Sequence, residues 1–318
     1  MRLKLLLGGV KSALPFVRSS YHGTGGTGDA RYCYSVWLRH LALVHEAGLD
    51  TAALQSVAEF GPGDSVGIGI AALVSGAHRY AALDVVDHAS RAENLRIFDQ
   101  IVSLFQARAD IPAGDGLAGV HPRLASYAFP SAALPEHRLA GALEPERLES
   151  IRAAVGAAAP TAESAVRYIC PWHDQSALPA GSVDLVMSQV ALQEMDDRGG
   201  DDSLEGAFRA SAAWLRPRGV LSHQIDFATP GGPRWNEHWT YPELAWRIAR
   251  GRRQRFENRA PLSRYLELCR DSGFEVRSVL PVADRAGSVA RSELAHRWRG
   301  LSDEDLWTRG AHVLAVKR

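Results

Sequence analysis

The stretch that most constrains this chain is Val57-Ala58-Glu59-Phe60-Gly61-Pro62-Gly63-Asp64-Ser65, followed by the apolar run Ala81-Ala82-Leu83 and then Asp84. An apolar segment ending in an acid runs into a glycine turn, a helical stretch over 66–76, and a second short apolar segment closed by another acid. That pattern spells a β-turn-α-β unit of the kind that holds a nucleotide. Gly61 and Gly63 permit a positive φ and leave room for a ligand to approach the main chain. An acid at the end of the second strand, about 20 residues on, stands where a ribose diol is hydrogen-bonded.

Further strands are expected at 79–84, 166–170, 183–188, 219–225, 274–280 and 311–317, with helical patterns between them, including 204–215 and 263–272. Alternating strands and helices predict an α/β fold with a doubly wound, mostly parallel sheet. Upstream, Tyr32, Tyr34, Trp37, Leu38, Leu41 and Val44 recur at helical spacing and predict an amphipathic helix over 30–47. Its aromatics read first as packing, with Tyr32 and Trp37 kept as ligand-contact candidates. The glycine-rich run 22–28 before it reads as irregular.

Two gaps between strands exceed an ordinary crossover. One, over 89–164, opens with a helix at 92–107, carries Pro112, Pro122, Pro130 and Pro135, and has a second helix at 144–155. The other, over 227–265, holds Pro230-Gly231-Gly232-Pro233, the aromatics Trp235, Trp239 and Tyr241, and an arginine-rich helix at 247–259. Both read as lid-like insertions over the carboxyl ends of the strands, where open α/β sheets bind ligands. The 318 residues are expected to form one domain with a cap helix within 1–50.

Composition excludes several classes. Lys plus Arg equals Asp plus Glu at 36 each, so no global field draws the chain to nucleic acid or an anionic surface, although local patches stay open. Cys33, Cys170 and Cys269 are scattered without a Cys-x-x-Cys pair, which argues against a zinc site or a disulfide framework and for a reducing, cytoplasmic setting. Leu3 to Leu7 is slightly signal-like but too short for an h-region. No segment approaches the ~20 apolar residues that span a bilayer.

The glycine unit alone admits NAD, FAD or S-adenosylmethionine. Glu59, two residues before the first glycine, would repel a pyrophosphate and suit a cationic ligand, and S-adenosylmethionine carries a sulfonium and an ammonium. Here the chain resembles the class I S-adenosylmethionine-dependent methyltransferases. The resemblance rests on six ordered pieces: Glu59-Phe60-Gly61-Pro62-Gly63, Asp84, Asp174 with Leu178-Pro179, Ser182-Val183-Asp184-Leu185-Val186, Ser188-Gln189-Val190-Ala191-Leu192, and Trp214-Leu215-Arg216-Pro217-Arg218-Gly219. It covers roughly residues 55–228 and, more loosely, the last two strands. Within the family the chain looks like bacterial surface-polysaccharide and small-molecule enzymes, through Tyr34-Ser35-Val36-Trp37 and Ser222-His223-Gln224-Ile225-Asp226.

The resemblance implies a Rossmann-like seven-stranded sheet ending in an antiparallel hairpin. It implies that Glu59, Gly61 and Gly63 contact the methionine portion of the cofactor, that Asp84 holds the ribose and that Val85 flanks the adenine. Asp174 would accept from the adenine amino group, and Ser188 and Gln189 would line the site. Many relatives have His where this chain has Glu194, which puts a His-dependent step there in doubt.

Methyl transfer is a displacement that needs alignment and exclusion of water, and an alcohol or phenol acceptor also benefits from a base. The candidates for that base are His223, Glu194 and Asp226, with His238 reaching in from the second insertion. A histidine in a strand is nonetheless more often a satisfied core residue. No short ligand spacing marks a metal site. The arginine-rich helix reads as a solvated face or as a clamp for an anionic acceptor. The sequence therefore predicts methylation, on oxygen, of a small-molecule or glycan-like acceptor. A nicotinamide-dependent oxidoreductase, or a partner subunit that binds the cofactor without turnover, stays open.

Overall fold

In the computed structural model the described residues are 3–12, 26–86, 90–114, 116–196, 200–201, 203–229, 233–253 and 256–318. Seven strands, β1 (Ser56–Phe60), β2 (Arg79–Leu83), β3 (Val166–Ile169), β4 (Val183–Gln189), β5 (Leu215–Asp226), β6 (Phe274–Ala283) and β7 (Thr308–Lys317), form one sheet in the order β3-β2-β1-β4-β5-β7-β6. The first five are parallel. β7 runs antiparallel to both of its neighbours, β5 and β6. This is the expected sheet, with its C-terminal antiparallel pair, and it differs from the all-parallel order 3-2-1-4-5-6 of dinucleotide dehydrogenase sheets.

Among the described residues ten α-helices accompany the sheet: α1 (Leu3–Ser12), α2 (Ala30–Glu46), α3 (Gly67–Val74), α4 (Arg91–Gln106), α5 (Glu136–Ala142), α6 (Pro145–Gly156), α7 (Leu204–Trp214), α8 (Glu243–Arg250), α9 (Leu262–Asp271) and α10 (Asp303–Trp307). Strand residues alternate between two cores, as a pleat dictates. Val57, Tyr80, Ala82, Leu185 and Met187 pack with α2, α3 and α4, while Ala58, Phe60, Leu83, Val186 and Leu221 pack with α7 and α9. Parallel strands buried on both faces read as near-continuous apolar runs, which is how they were visible in the sequence.

The first insertion docks onto α2 through one buried cation. Arg39 is 1% exposed; its guanidinium donates to the carbonyls of Val120, Pro122 and Pro112 and to the Ser35 hydroxyl, and lies over the Tyr127 ring. Burial lowers the Arg39 pKa, and the carbonyl oxygens around it replace the water it has lost.

The arginine-rich helix departs from expectation. It ends at Arg250, because Gly251 takes φ +57, and α1 crosses so close that a Cβ on Gly251 would meet the Gly9 carbonyl oxygen at 2.2 Å. Arg250 pairs with Asp196 at 3.0 Å. Arg259, buried, pairs with Glu243 and lies over the Trp246 and Trp298 rings. Arg255, Pro230, Gly231 and Gly232 lie outside the described residues, as does most of the run 22–28. The helix α1, which apolar periodicity did not reveal, packs against α8.

Candidate functional site

The strand order reverses between β1 and β4, and in open α/β sheets that switch point opens a crevice at the carboxyl ends. Both chains leaving it are bent. Gly61 and Gly63 adopt φ +67 and +75, and Val190, just beyond β4, is held at φ +55. A positive φ on a β-branched residue is a strained conformation that surrounding contacts must impose. Here the Val190 amide donates to the Gln224 carbonyl at 2.8 Å, and a Cβ on Gly61 would fall 2.5 Å from that of Ala191. The two turns are thus packed against each other, and only glycine fits at 61.

Glu59 sits on β1 directly before this turn and is 1% exposed. Its Oε2 accepts from the Tyr80 hydroxyl at 2.6 Å, while its Oε1 is buried with no hydrogen-bond partner. Burial pushes the carboxyl up to about 7; the Tyr80 hydrogen bond opposes this and the Asp84 charge adds to it. Tyr80 is fixed in turn by Gly69 of α3, where a Cβ would stand 2.3 Å from its ring. A buried carboxylate oxygen lacking a donor costs free energy that an N–H or cation on a ligand would recover.

Asp84 closes β2. Its Oδ1 accepts from the amides of Val85, at 2.7 Å, and Val86, its own amide donates to the Ile169 carbonyl, and its carbonyl accepts from the Trp172 amide. Val85 packs against the α7 side of the core. Asp174 caps the short 3₁₀ turn Gln175–Ala177, its Oδ1 taking the Ser176 amide at 2.6 Å, and hydrogen bonds from the Ser176 side chain and then its amide hold the carboxyl below the usual range.

Residues far away in sequence brace the turn. Thr27 Oγ1 accepts the Asp64 amide at 2.8 Å, its carbonyl accepts the Ser65 hydroxyl, and Asn94 Oδ1 of α4 accepts the Val66 amide at 3.0 Å. Tyr32 packs its ring 3.0 Å from where a Gly26 Cβ would be and hydrogen-bonds the Gln189 side chain, while Trp37 is interior and donates to the Ser75 hydroxyl.

Gln189 and Ser188, adjacent at the end of β4, face opposite sides. Gln189 lies under α2, its Oε1 3.1 Å from His40 Nε2 and its amide donating to the His121 carbonyl at 2.8 Å. Ser188 turns to the α7 side, its hydroxyl 2.9 Å from His223 Nδ1. His223 is 2% exposed and stands edge-on to Phe208, and burial drives its pKa down to about 3. His238 packs on Trp239 and Trp246 beside the Thr229 hydroxyl, likewise down to about 3 by burial. Both histidines are neutral core groups at physiological pH.

Asp226 and Glu194 lie elsewhere, at the carboxyl ends of β5 and β4. Burial raises the Asp226 carboxyl, opposed by the Ala228 amide, Arg309 and His121. The segment 256–259 closes on Glu194: Asn258 donates to the Leu192 and Met195 carbonyls, and Glu257, raised mainly by burial, feels the charges of Glu194 and Asp226. His121 and Glu257 had no sequence signal, since each reaches the site only through its insertion. Among the described residues no cluster of three or more His, Cys, Asp or Glu side chains is arranged to hold a metal ion.

Neither a protein-family model nor a curated protein matches the chain. Among solved structures it is similar to a Galdieria sulphuraria protein described as a sarcosine dimethylglycine methyltransferase, at 13% identity over 89% of this chain and 84% of that one, with a TM-score of 0.44. It is also similar to an S-adenosylmethionine-dependent methyltransferase of Mesorhizobium loti, at 16% identity over 92% and 100%, TM-score 0.41. A third similarity is to Haemonchus contortus phosphoethanolamine N-methyltransferase 2, at 14% identity over 90% and 56%, TM-score 0.41.

Proposed function

We propose that the chain binds S-adenosylmethionine in the β1–β4 crevice and is a methyltransferase acting on a small-molecule or glycan-like acceptor, at oxygen. The observation that carries this reading is the Glu59 carboxyl: buried, tied to Tyr80 by one oxygen and left without a donor at the other, immediately before the glycine turn. A pyrophosphate at that turn would face a carboxylate of its own sign, whereas an ammonium or sulfonium supplies the missing donor or countercharge. In this reading Glu59, Gly61 and Gly63 hold the methionine end. Asp84 accepts from the ribose, Val85 flanks the adenine, Asp174 borders it, and Gln189 forms the floor.

The bound cofactor would supply an electrophilic methyl group. The protein's own part is to orient the acceptor, exclude water and take a proton. We assign the proton to Asp226: a carboxyl raised by burial is a stronger base than a solvated one, and His121 and Arg309 stand by to stabilise its charge. Glu194 and Glu257 border the same space. His223 and His238 are assigned to packing.

Calorimetric titration with S-adenosylmethionine and S-adenosylhomocysteine tests the assignment. Binding in the micromolar range is expected for the unaltered chain, and its loss for Asp84→Ala and Glu59→Ala in proteins that circular dichroism shows to be folded. Absence of heat with either compound, on folded protein, would overturn it.

A further inference from the structure

Six large apolar side chains are exposed among the described residues, and four of them lie on two helices in contact: Leu7 (49%) and Val10 (53%) on α1, Leu244 (71%) and Ile248 (43%) on α8. On each helix the pair is three or four residues apart, so each helix presents an apolar strip outward. The opposite face of α8 is already used, with Trp246 and Ala249 buried against Tyr241, Phe256 and Leu6. The helices cross at backbone contact, since a Cβ on Gly9 would fall 2.0 Å from the Ile248 carbonyl oxygen, and the Arg252 amide donates to the Ser12 hydroxyl. The two strips therefore lie on a pair of helices packed directly against each other.

The charge around that surface is one-sided. Around it stand Lys11, Arg247, Arg250, Arg252 and Arg253 against Glu243 and Asp196, the partner of Arg250, in a chain whose charges balance overall at 36 each. Glu243 is taken up by Arg259 and Arg297, while Lys11, Arg247 and Arg252 are exposed. Neither helix is long and apolar enough to cross a membrane. Aliphatic side chains projecting between basic ones fit a bilayer with anionic headgroups: the hydrocarbon boundary takes the strips and the headgroups take the cations. An acidic protein partner would match the charge, but it would need a surface shaped to both strips, and a bilayer imposes no such demand.

We propose that the α1–α8 surface binds peripherally to anionic membranes. α8 follows β5 through the second insertion, so docking there would set the carboxyl ends of the strands near the lipid surface.

Sedimentation of the full chain with vesicles tests this, comparing pure phosphatidylcholine with a phosphatidylcholine–phosphatidylglycerol mixture. Binding at least tenfold stronger to the anionic vesicles is expected, falling several-fold on raising salt from 0.1 to 0.5 M, on the order of the loss of screening length. Leu244→Glu with Ile248→Glu should abolish binding, and Arg247→Glu with Arg252→Glu should weaken it at least tenfold. Both pairs are exposed, and an unchanged melting temperature shows that the fold survives. Equal partitioning to both vesicle types, no partitioning, or undiminished binding of both variants would overturn the proposal. So would a concentration-dependent dimer dissolved by Leu244→Glu, which would assign the surface to a second copy of the chain.

Discussion

At the scale of single residues the site hangs on a short relay: Gly69 leaves room for the Tyr80 ring, and Tyr80 holds one oxygen of Glu59. Gly69→Ala should push the ring off that position, costing about 1–3 kcal/mol as overpacking does, and should weaken S-adenosylmethionine binding, as denaturant unfolding and calorimetry would show. Unaltered binding would dismiss the relay. In the proposed reading Glu59 would also give cofactor binding a pH dependence. Its carboxyl is pushed up to about 7 in the fold against 4.5 ordinarily, so the folded chain keeps a proton that the unfolded chain releases between those values. From this group alone, ligand-free stability declines as pH rises through that window. Affinity for a cation strengthens over the same range, by up to about tenfold per pH unit below 7. Titrations at pH 5.5, 6 and 7 should show the trend in the unaltered chain and lose it in Glu59→Gln. The turn after Glu59, with positive φ at Gly61 and Gly63, was legible because its residues are contiguous. Tyr80, Thr27 and Asn94 were not, because each reaches the turn from an element 21 to 38 residues away, as the Glu59–Tyr80 and Thr27–Ser65 separations illustrate.

At the scale of elements, strands and helices followed from period and punctuation, and the misreadings fell where tertiary contact overrode local pattern. The arginine run was read as one helix through 259, yet the approach of α1 ends it at Gly251. His223 lay on a readable strand, but strand period could not say that its face turns toward Phe208 and away from α2. The segment 89–164 reads as an insertion from strand spacing, but its anchor had no signal, since Arg39 looks like any helix cation until its carbonyl partners 73 to 83 residues away are known. Arg39→Met should leave the Val120 and Pro122 carbonyls without their donor and loosen residues 110–128. Limited proteolysis and hydrogen exchange should find that segment newly accessible, with the sheet still protected; unchanged protection would mean that apolar packing alone holds it.

At the scale of the whole molecule, four histidines buried among the described residues link stability to acid. Burial lowers His40 to about 4, His223 and His238 to about 3, and His312 well below its ordinary value. The unfolded chain takes up protons on these groups near 6.5 and the folded chain does not. Their contribution is therefore intact above that pH and is lost as pH falls toward 4, at up to about 1.4 kcal/mol per unit for each histidine. Glu59 opposes them with one proton. Scanning calorimetry should record a melting temperature that drops steeply between pH 6.5 and 4.5; a flat profile would contradict neutral burial. Two of the four meet at one residue of β5: His40 Nδ1 lies 2.7 Å from the Ser222 hydroxyl and His312 Nε2 3.0 Å from it, while His223, next to Ser222 in the strand, faces the other side of the sheet.

That meeting depends on where β7 lies. It follows β6 in the chain yet is threaded between β5 and β6, and within the sheet β6 pairs with β7 alone. During synthesis β6 therefore has no place to dock until β7 has been made, and until then β5 presents an unpaired edge. A nascent chain whose first five strands assembled before β7 emerged would carry an adhesive border, the kind of species that chaperones shield and that aggregates when they are scarce.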